Sequence, residues 1–182
     1  MRLRFETSQW VQFPVELVFA FFANPSNLPH LMPPGLQARI EDARIQPPRT
    51  RPLAEDPARR FRSVAAGVGS EILVSFKLMP WIPRASSLHR ITEFEWNSHF
   101  CDEQIRGPFA AFHHRHGIEA QMRDWIEGTL VSDEIHCELP GGPIGVMAAP
   151  LVRGRLERMF AYRQKRLPEI LDAASRQAVK RD

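Results

Sequence analysis

Cysteine is scarce in this chain of 182 residues, and no segment is apolar for long. The two cysteines, Cys101 and Cys137, are too few for a disulfide scaffold, so a reduced cytoplasmic setting is expected. The longest apolar run, near residues 17–23, is far shorter than the roughly 20 residues that span a membrane. The N-terminal residues alternate between polar and apolar, which predicts no signal peptide and no membrane span.

Several functional motifs are also missing. The sequence has no glycine-rich nucleotide loop, no cysteine cluster and no Ser-His-Asp pattern of a hydrolase. The net charge of +3 is mildly basic, and nine basic against four acidic residues follow from position 150 onward. Few aromatic residues accompany these charges, so we interpret them as a solvated helix face and predict no nucleic-acid partner.

The length and composition indicate one globular domain, residues 1–182. Charged residues make up 25% of the chain and hydrophobic residues 43%, which is ordinary for a protein with a buried core. Residues 47–66 contain four prolines and five arginines without helical or strand periodicity. This segment is therefore predicted to be a long mobile loop.

Two long alternating segments, residues 110–122 and 126–139, predict a β-hairpin. Because successive side chains of a strand point to opposite faces, His114 and His116 share the mostly apolar face of the first strand. Thr129 and Asp133 share the corresponding face of the second strand. Polar groups on a buried face cost free energy unless they are paired or hydrated. They predict either a cavity lined by this face or a satisfied hydrogen-bond network.

The remaining pattern defines the architecture. Alternation predicts five further strands, near residues 3–13, 36–45, 69–78, 87–96 and 98–106. Two short helices are predicted over residues 15–23 and 25–35, and apolar residues at helical spacing predict one long helix over residues 150–178. Strands and helices do not alternate, which argues against a parallel α/β fold. The expected fold is α+β, with a curved seven-stranded antiparallel sheet wrapped around a long C-terminal helix.

This element order and a set of short motifs resemble the START-like or SRPBCC superfamily, which includes polyketide cyclase/dehydrase-like and birch-pollen-allergen-like proteins. The motifs that carry the resemblance are Asp102-x-Gln104, Gly107-Pro108-Phe109, His114-x-His116, Gly128-Thr129 with Asp133, Pro140-x-Gly142 with Gly145, and Phe160-x-Tyr162-Arg163. The resemblance implies a helix-grip fold with a cavity between the sheet and the C-terminal helix.

The first functional hypothesis is a carrier or sensor of a small hydrophobic or amphipathic ligand held in that cavity. Such pockets combine apolar walls with a few polar anchors. The candidate ligand-binding residues are Trp96, Phe100, Asp102, Gln104, Arg106, Phe112, His114, His116, Ile118, Thr129 and Asp133.

Three alternatives stay open. A cyclase/dehydrase-type enzyme would use His114, His116 and Asp133 as acid-base groups. The two histidines with a carboxylate from a neighbouring strand would also suit a metal ion, but the spacing is a weak signal, and neither a metal nor another cofactor is predicted. The same residues would otherwise form a satisfied buried network, which Arg163 could join from the helix.

The oligomeric state is expected to be a monomer or a homodimer.

Overall fold

The computed structural model describes residues 1–49, 64–77, 81, 83–139 and 143–179, with side chains from residue 145 to 176 in the last range. Within these residues, seven strands form one antiparallel sheet. The strands are β1 (Arg2–Val11), β2 (Arg39–Arg44), β3 (Glu71–Phe76), β4 (Ala85–Glu95), β5 (His99–Arg106), β6 (Ala111–Arg123) and β7 (Ile126–Glu138). The predicted seven-stranded antiparallel sheet is confirmed.

The strand order in the sheet is β1-β7-β6-β5-β4-β3-β2. Strands β2 to β7 therefore pair with their neighbours in sequence, whereas β1 pairs with β7. The pairing of β1 with β7 sets Leu3 opposite Cys137 and Phe5 opposite Ile135. Irregular register occurs in the β2–β3 and β4–β5 pairs. Such bulges bend strands and increase their twist, which helps this edge of the sheet to curve.

Three short helical segments follow β1: the helix α1 (Val15–Ala23) and two 3-10 helices, Pro25–Leu31 and Pro34–Leu36. Asn24 marks the boundary between the first two, and its side chain accepts a hydrogen bond of 3.1 Å from Ser26 N. Seven of the nine residues of α1 are buried. This helix therefore closes one end of the sheet.

The long C-terminal helix, α2 (Pro143–Val179), crosses the concave face of the sheet and completes the helix-grip fold. The prediction that it begins at residue 150 was wrong. Pro143 stands at its first position, where a missing N–H costs nothing, and Pro150 lies inside the helix without ending it. Of the motif Pro140-x-Gly142 with Gly145, residues 140–142 lie outside the described residues, and Gly145 is helical.

Two apolar clusters hold the layers together. The larger one joins α1 to β3, β4, β6 and the end of α2, through side chains such as Phe19, Ile118 and Leu171. The smaller one joins β1 and β7 to α2 through Phe5, Ile135 and Phe160, with the Phe5 and Phe160 rings 5.1 Å apart. The face of the sheet towards α2 is thus apolar at both ends.

Most of the loop predicted over residues 47–66 lies outside the described residues, which resume at residue 64. Its C-terminal end is packed, since Ala65 and Ala66 are buried and Ala66 N donates a hydrogen bond of 2.9 Å to Ala23 O. At its other end, Arg49 O accepts a hydrogen bond of 2.8 Å from Trp96 Nε1. Both described ends of this segment are therefore anchored to the domain.

Candidate functional site

Between the two apolar clusters, the concave face carries a group of polar side chains that we call the polar cluster. Its members come from four neighbouring strands and from α2. They are His89 on β4, Asp102 on β5, His114 and His116 on β6, Asp133 on β7 and Arg163 on α2.

Strand register explains why four of these residues meet. Asp102 lies directly opposite His114 in the β5–β6 pair, and His116 lies directly opposite Asp133 in the β6–β7 pair. Side chains opposite one another on one face are about 4.5–5.5 Å apart at Cβ. Since His114 and His116 are two residues apart, the two cross-strand pairs also adjoin each other.

Asp133 contacts three positively polarised groups through one oxygen. His114 Nε2 donates a hydrogen bond of 2.9 Å to Asp133 Oδ1, and Arg163 Nη1 lies 3.3 Å from the same oxygen. His116 Nδ1 also lies 2.9 Å from Oδ1, but its direction is unfavourable, and this nitrogen has no hydrogen-bond partner among the described residues. Asp133 thus links β6 to α2.

Asp102 forms the second carboxylate centre. Its Oδ1 accepts a hydrogen bond of 2.6 Å from His89 Nδ1, and its Oδ2 accepts one of 3.3 Å from His116 Nε2. His114 Nδ1 lies 3.8 Å from Oδ2. On the far side of His89, Ser87 Oγ is 2.7 Å from Nε2, so the hydrogen-bonded chain continues along β4.

Each of the two β6 histidines therefore spans both carboxylates. His114 directs Nε2 to Asp133 and Nδ1 towards Asp102, whereas His116 donates from Nε2 to Asp102 and has its Nδ1 2.9 Å from Asp133 without a hydrogen bond. The two imidazole rings are in contact, with centroids 3.7 Å apart. This pair of rings is the centre of the polar cluster.

Aromatic rings surround the imidazoles. Phe100 stacks on His116 with centroids 4.3 Å apart, and Phe160 meets His114 edge-on at 6.0 Å. The Arg163 guanidinium lies over the Phe22 ring at 4.6 Å, which adds a cation–π contact from α1. These rings keep water from most of the cluster.

Burial without neutralisation is costly, so the cluster's charges compensate one another. His114 and His116 are each 8% exposed, Asp133 5% and Arg163 7%. The side chain of Asp102 is 14% exposed. The two carboxylates face one guanidinium and three imidazoles. These four groups supply the hydrogen bonds and the positive charge that the carboxylates need when buried.

The surrounding groups lower the pKa values of the Asp102 and Asp133 carboxylates. Burial by itself raises the pKa of Asp102, but hydrogen bonds from His116 and His89 outweigh it and hold the pKa well below its ordinary value. Burial also raises the pKa of Asp133, and there the Arg163 charge and the hydrogen bond from His114 bring the pKa far below the ordinary value. Both carboxylates are therefore ionised at neutral pH.

The two histidines shift in opposite directions. Burial, reinforced by the neighbouring His116, lowers the pKa of His114 from 6.5 to about 4. Burial also lowers the pKa of His116, but its contacts with Asp102 and Asp133 prevail and raise that pKa above 6.5. At neutral pH His114 is thus neutral, and His116 is the ring of the pair whose protonated form the surroundings favour.

The structure separates some predicted ligand-binding residues from the cluster. Thr129 is fully buried, and its Oγ1 donates a hydrogen bond of 2.6 Å to Phe13 O, which occupies the hydroxyl within the fold. Arg106 is exposed at the end of β5. Trp96 packs against Phe19 and Phe94 in the larger apolar cluster.

Three other predicted residues occupy different positions in the fold. Phe112 meets His89 and His114 edge-on, at 5.4 and 6.2 Å. Gln104 Nε2 donates a hydrogen bond of 2.8 Å to Phe109 O, so this side chain holds the turn between β5 and β6. Ile118 is fully buried in the larger apolar cluster. The assignment of these residues to a ligand stays a prediction.

His89 and Phe22 contribute to the site, although the sequence pattern did not indicate them. His89 has the same parity along β4 as the buried Ser87 and Ile91, and this pattern was the available signal. The strand register shifts between Leu88 and His89, so simple alternation is a weak guide there. Phe22 lies on α1, and no pattern along the chain connects it to β6.

Two spaces lie along the line where β1 meets α2. The first, which we call the groove, has a volume of about 590 Å³ and is lined by Trp10, Val11, Gln12, Phe13, Pro168, Glu169 and Asp172. The second, the inner cavity, has a volume of about 10 Å³ and is lined by Ser8, Gln9, Val131, Asp133, Phe160, Arg163, Gln164 and Leu167. The inner cavity touches the polar cluster and has room for about one water molecule.

Three donor groups of the cluster are close enough to share a cation. Asp102, His114 and His116 each offer one ligand atom, and these atoms all lie within 4.8 Å of one another.

Among the described residues, no helix has the length and apolar character needed to cross a lipid bilayer.

Comparisons with known proteins identify the fold. No protein-family model and no curated protein matches the chain. Among solved structures, the chain is similar to Ara h 8.0201, with a TM-score of 0.55 and 13% identity over 91% of this chain and 97% of that one. It is also similar to TTHA0849 from Thermus thermophilus, with a TM-score of 0.57 and 16% identity over 95% of this chain and 99% of that one. The chain therefore shares the fold of these two structures, and the helix-grip architecture predicted from the sequence is confirmed.

Proposed function

We propose that this protein binds one small hydrophobic or amphipathic molecule between the concave face of the sheet and α2, as a carrier or sensor. The observation that carries the proposal is the position of the polar cluster. Charged and imidazole groups lie between two apolar clusters, on the face that the sheet turns towards its helix. Apolar walls with a few convergent polar groups are typical of small-molecule sites.

The chemistry of the walls defines the ligand class. Phe22, Phe100 and Phe160 face the cluster from α1, β5 and α2, and they favour a flat or aliphatic ligand body. Arg163 and Asp133 line the inner cavity and present one cation and one anion. A single oxygen-bearing group on the ligand is therefore the fitting partner for the polar end of the site.

The groove supplies an approach to the inner cavity. Its volume is about 590 Å³, and it is open to solvent rather than enclosed. The two spaces adjoin along both elements, since Gln9 and Val11 share one face of β1 and Gln164 and Pro168 lie one turn apart on α2. A ligand that enters by the groove approaches Asp133 and Arg163 along this line.

Hydrogen bonds between β1 and α2 close the path. Gln9 Nε2 donates a bond of 2.7 Å to Gln164 O, and Gln164 Nε2 donates one of 2.8 Å to Thr7 Oγ1. With these bonds made, the inner cavity holds about one water molecule. Binding therefore requires β1 and α2 to separate at Gln164, and the exchange of these side-chain bonds is the expected gating step.

Native mass spectrometry of freshly purified protein, followed by denaturing extraction, tests the proposal. A bound molecule of discrete mass is expected. A second measurement, titration with the amphipathic dye 1-anilinonaphthalene-8-sulfonate, covers the case in which the natural ligand is lost during purification. The absence of both an adduct and saturable dye binding would contradict the proposal.

Matched histidine variants test the location. His114→Ala or His116→Ala is expected to weaken binding, whereas His113→Ala, on the opposite face of the same strand, is expected to leave it unchanged. Circular dichroism confirms that each variant is folded. Equal loss in all three variants would place the ligand elsewhere.

A cyclase/dehydrase-type enzyme is the second candidate function, and the contact between the two imidazoles favours it. Each ring lies between two carboxylates, which is the arrangement that orients a histidine for proton transfer. The two candidates differ in one observable. A carrier releases the extracted molecule unchanged, whereas an enzyme converts it to a product of different mass or structure on incubation.

Two further proposals concern the compartment in which the protein acts and its oligomeric state. Cys101 and Cys137 are free and buried, which is compatible with a reducing cytoplasm. We propose a monomer or a homodimer, because the path along β1 and α2 needs no residue from a second copy.

A further inference from the structure

We propose that Asp102, His114 and His116 form a binding site for a first-row divalent transition metal, with Zn²⁺ as the working probe. One donor atom of each residue points to a common region. Asp102 Oδ2 lies 3.3 Å from His116 Nε2 and 3.8 Å from His114 Nδ1, and each of the three residues offers one donor atom within 4.8 Å of those of the other two.

These separations fit the ion. Ligand atoms about 2.0–2.1 Å from a tetrahedral Zn²⁺ lie about 3.3–3.4 Å from each other. The distance from Asp102 to His116 already has this value, and the distance from Asp102 to His114 needs a change of less than about 0.5 Å. The donor atoms of the three residues lie within 4.8 Å of one another, so the two histidine donors have to approach each other by at most about 1.4 Å.

The groups behind the three donors are those that metal sites require. A metal-bound histidine usually donates its other ring N–H to a carboxylate or carbonyl, which fixes its tautomer and orientation. Here the other ring nitrogens, His114 Nε2 and His116 Nδ1, each lie 2.9 Å from Asp133 Oδ1. The second oxygen of Asp102 is held by His89 Nδ1 at 2.6 Å. Asp133 and His89 are therefore the expected positioning residues of the site.

The metal-free cluster is not fully satisfied. His116 is 8% exposed, and its Nδ1 lacks a hydrogen bond among the residues that the structure describes. When a metal takes Nε2, the imidazole carries its proton on Nδ1 and can turn that N–H towards Asp133. In the metal-bound site both ring nitrogens of His116 therefore have a partner, the metal at Nε2 and Asp133 at Nδ1.

The donor set also selects the kind of ion. Two imidazole nitrogens and one carboxylate oxygen suit Zn²⁺ or Fe²⁺, whereas Mg²⁺ and Ca²⁺ prefer oxygen ligands throughout. Three protein ligands leave at least one coordination position for water. This inference goes beyond the proposed ligand-binding function and does not depend on it, because the metal is bound by the protein alone.

Metal titration of the full chain tests the site. The protein is stripped with a chelator, dialysed, loaded with Zn²⁺ and assayed by elemental analysis and by competition with a chromophoric chelator. About one equivalent of Zn²⁺ is expected, with no comparable retention of Mg²⁺. Asp102→Asn and His116→Gln are expected to weaken binding by about 100-fold or more, and Asp133→Asn by about 10–100-fold.

His113→Gln and His136→Gln are the controls, since these histidines lie on the opposite face of β6 and β7, and they are expected to bind like the wild type. Where a cluster variant fails to fold, Co²⁺ loading of the wild type replaces it. Co²⁺ is expected to show the intense visible bands of four- or five-coordinate ligation. Retention of less than about 0.1 equivalent of Zn²⁺, equal loss in the control variants, or a six-coordinate aqua-like Co²⁺ spectrum would overturn the proposal.

Discussion

Asp133 and Arg163 meet across the interface between the sheet and α2, with Arg163 Nη1 3.3 Å from Asp133 Oδ1. Both side chains are less than one-tenth exposed. This ion pair is the direct polar link between the concave face of the sheet and the long helix in the polar cluster. It ties the position of α2 to the charge state of the cluster.

Arg163→Met is expected to lower the free energy of unfolding by about 3–5 kcal/mol, because the buried Asp133 carboxylate loses its cationic partner. Chemical denaturation measures the change. Arg166→Met is the matched control on the same helix. Arg166 pairs with Glu169 at the surface, and such exposed pairs contribute about 1 kcal/mol or less.

The double variant Asp133→Asn with Arg163→Met completes the test. Its loss of stability is expected to be smaller than the sum of the two single losses, since the second substitution removes the uncompensated charge. Strict additivity would mean that the two groups do not interact.

Gly128 lies where a side chain has no room. A Cβ at this position would contact the Trp10 ring and stand 2.6 Å from Val11 O, which is part of the paired β1 backbone. Gly128→Ala is therefore expected to cost about 1–3 kcal/mol in thermal or chemical denaturation.

Gly154→Ala is the control for that substitution. A Cβ at Gly154 meets nothing within 4 Å, and the residue is inside α2, where alanine is favoured over glycine by about 0.5–1 kcal/mol. The two glycine variants are thus expected to shift the melting temperature in opposite directions. A loss of stability in both would contradict the packing described for α2.

The turn between β6 and β7 holds Asp124 and Trp125 at φ values of 49° and 65°. Two positive values identify the kind of two-residue turn that prefers glycine at its second position. Trp125 is 95% exposed, so its ring gains little from burial. Trp125→Gly is expected to raise the free energy of unfolding by about 1 kcal/mol.

Trp125→Ala separates the backbone effect from the loss of the ring. Alanine removes the indole but keeps the cost of a positive φ, so this variant is expected to match the wild type in a denaturation experiment. If alanine stabilises the protein as much as glycine, the gain comes from the side chain and not from the turn.

Cys101 is expected to react slowly with alkylating reagents. Burial, with a hydrogen bond of 3.2 Å from its Sγ to Glu93 Oε2, raises the pKa of the thiol from 9.0 to about 11. The thiolate is the reactive form, so at pH 8 its population is about a hundredfold below that of an ordinary cysteine. Since the thiolate forms only as the pH approaches the raised pKa, the rate should still be increasing above pH 9.

Mass spectrometry of iodoacetamide-treated Cys137→Ala protein measures this rate for Cys101 alone. Glu93→Gln is expected to increase the rate, because it removes the carboxylate that opposes thiolate formation. Fast modification of the native protein at pH 8 would show that Cys101 is not held in this environment.

Strand alternation was sufficient to assign the central residues of the cluster to one face. His114, His116 and Asp133 have the parity of Ile118 and Ile135, and all five are buried. Alternation was not sufficient at the hairpin end, where Met122 has the same parity and is 63% exposed. The strands extend past the end of the core there, and a local pattern does not indicate where the covering layer stops.

The sequence by itself determined the sheet, the long helix and the face on which the histidines lie, because side-chain alternation and helical periodicity are properties of neighbouring residues. Only the tertiary structure decided that His89 joins Asp102, that Thr129 bonds to Phe13, and that β1 and α2 leave an inner cavity of about 10 Å³. These outcomes depend on a register shift and on the distance between packed layers. Both arise from contacts between residues far apart in the chain, which a local pattern does not encode.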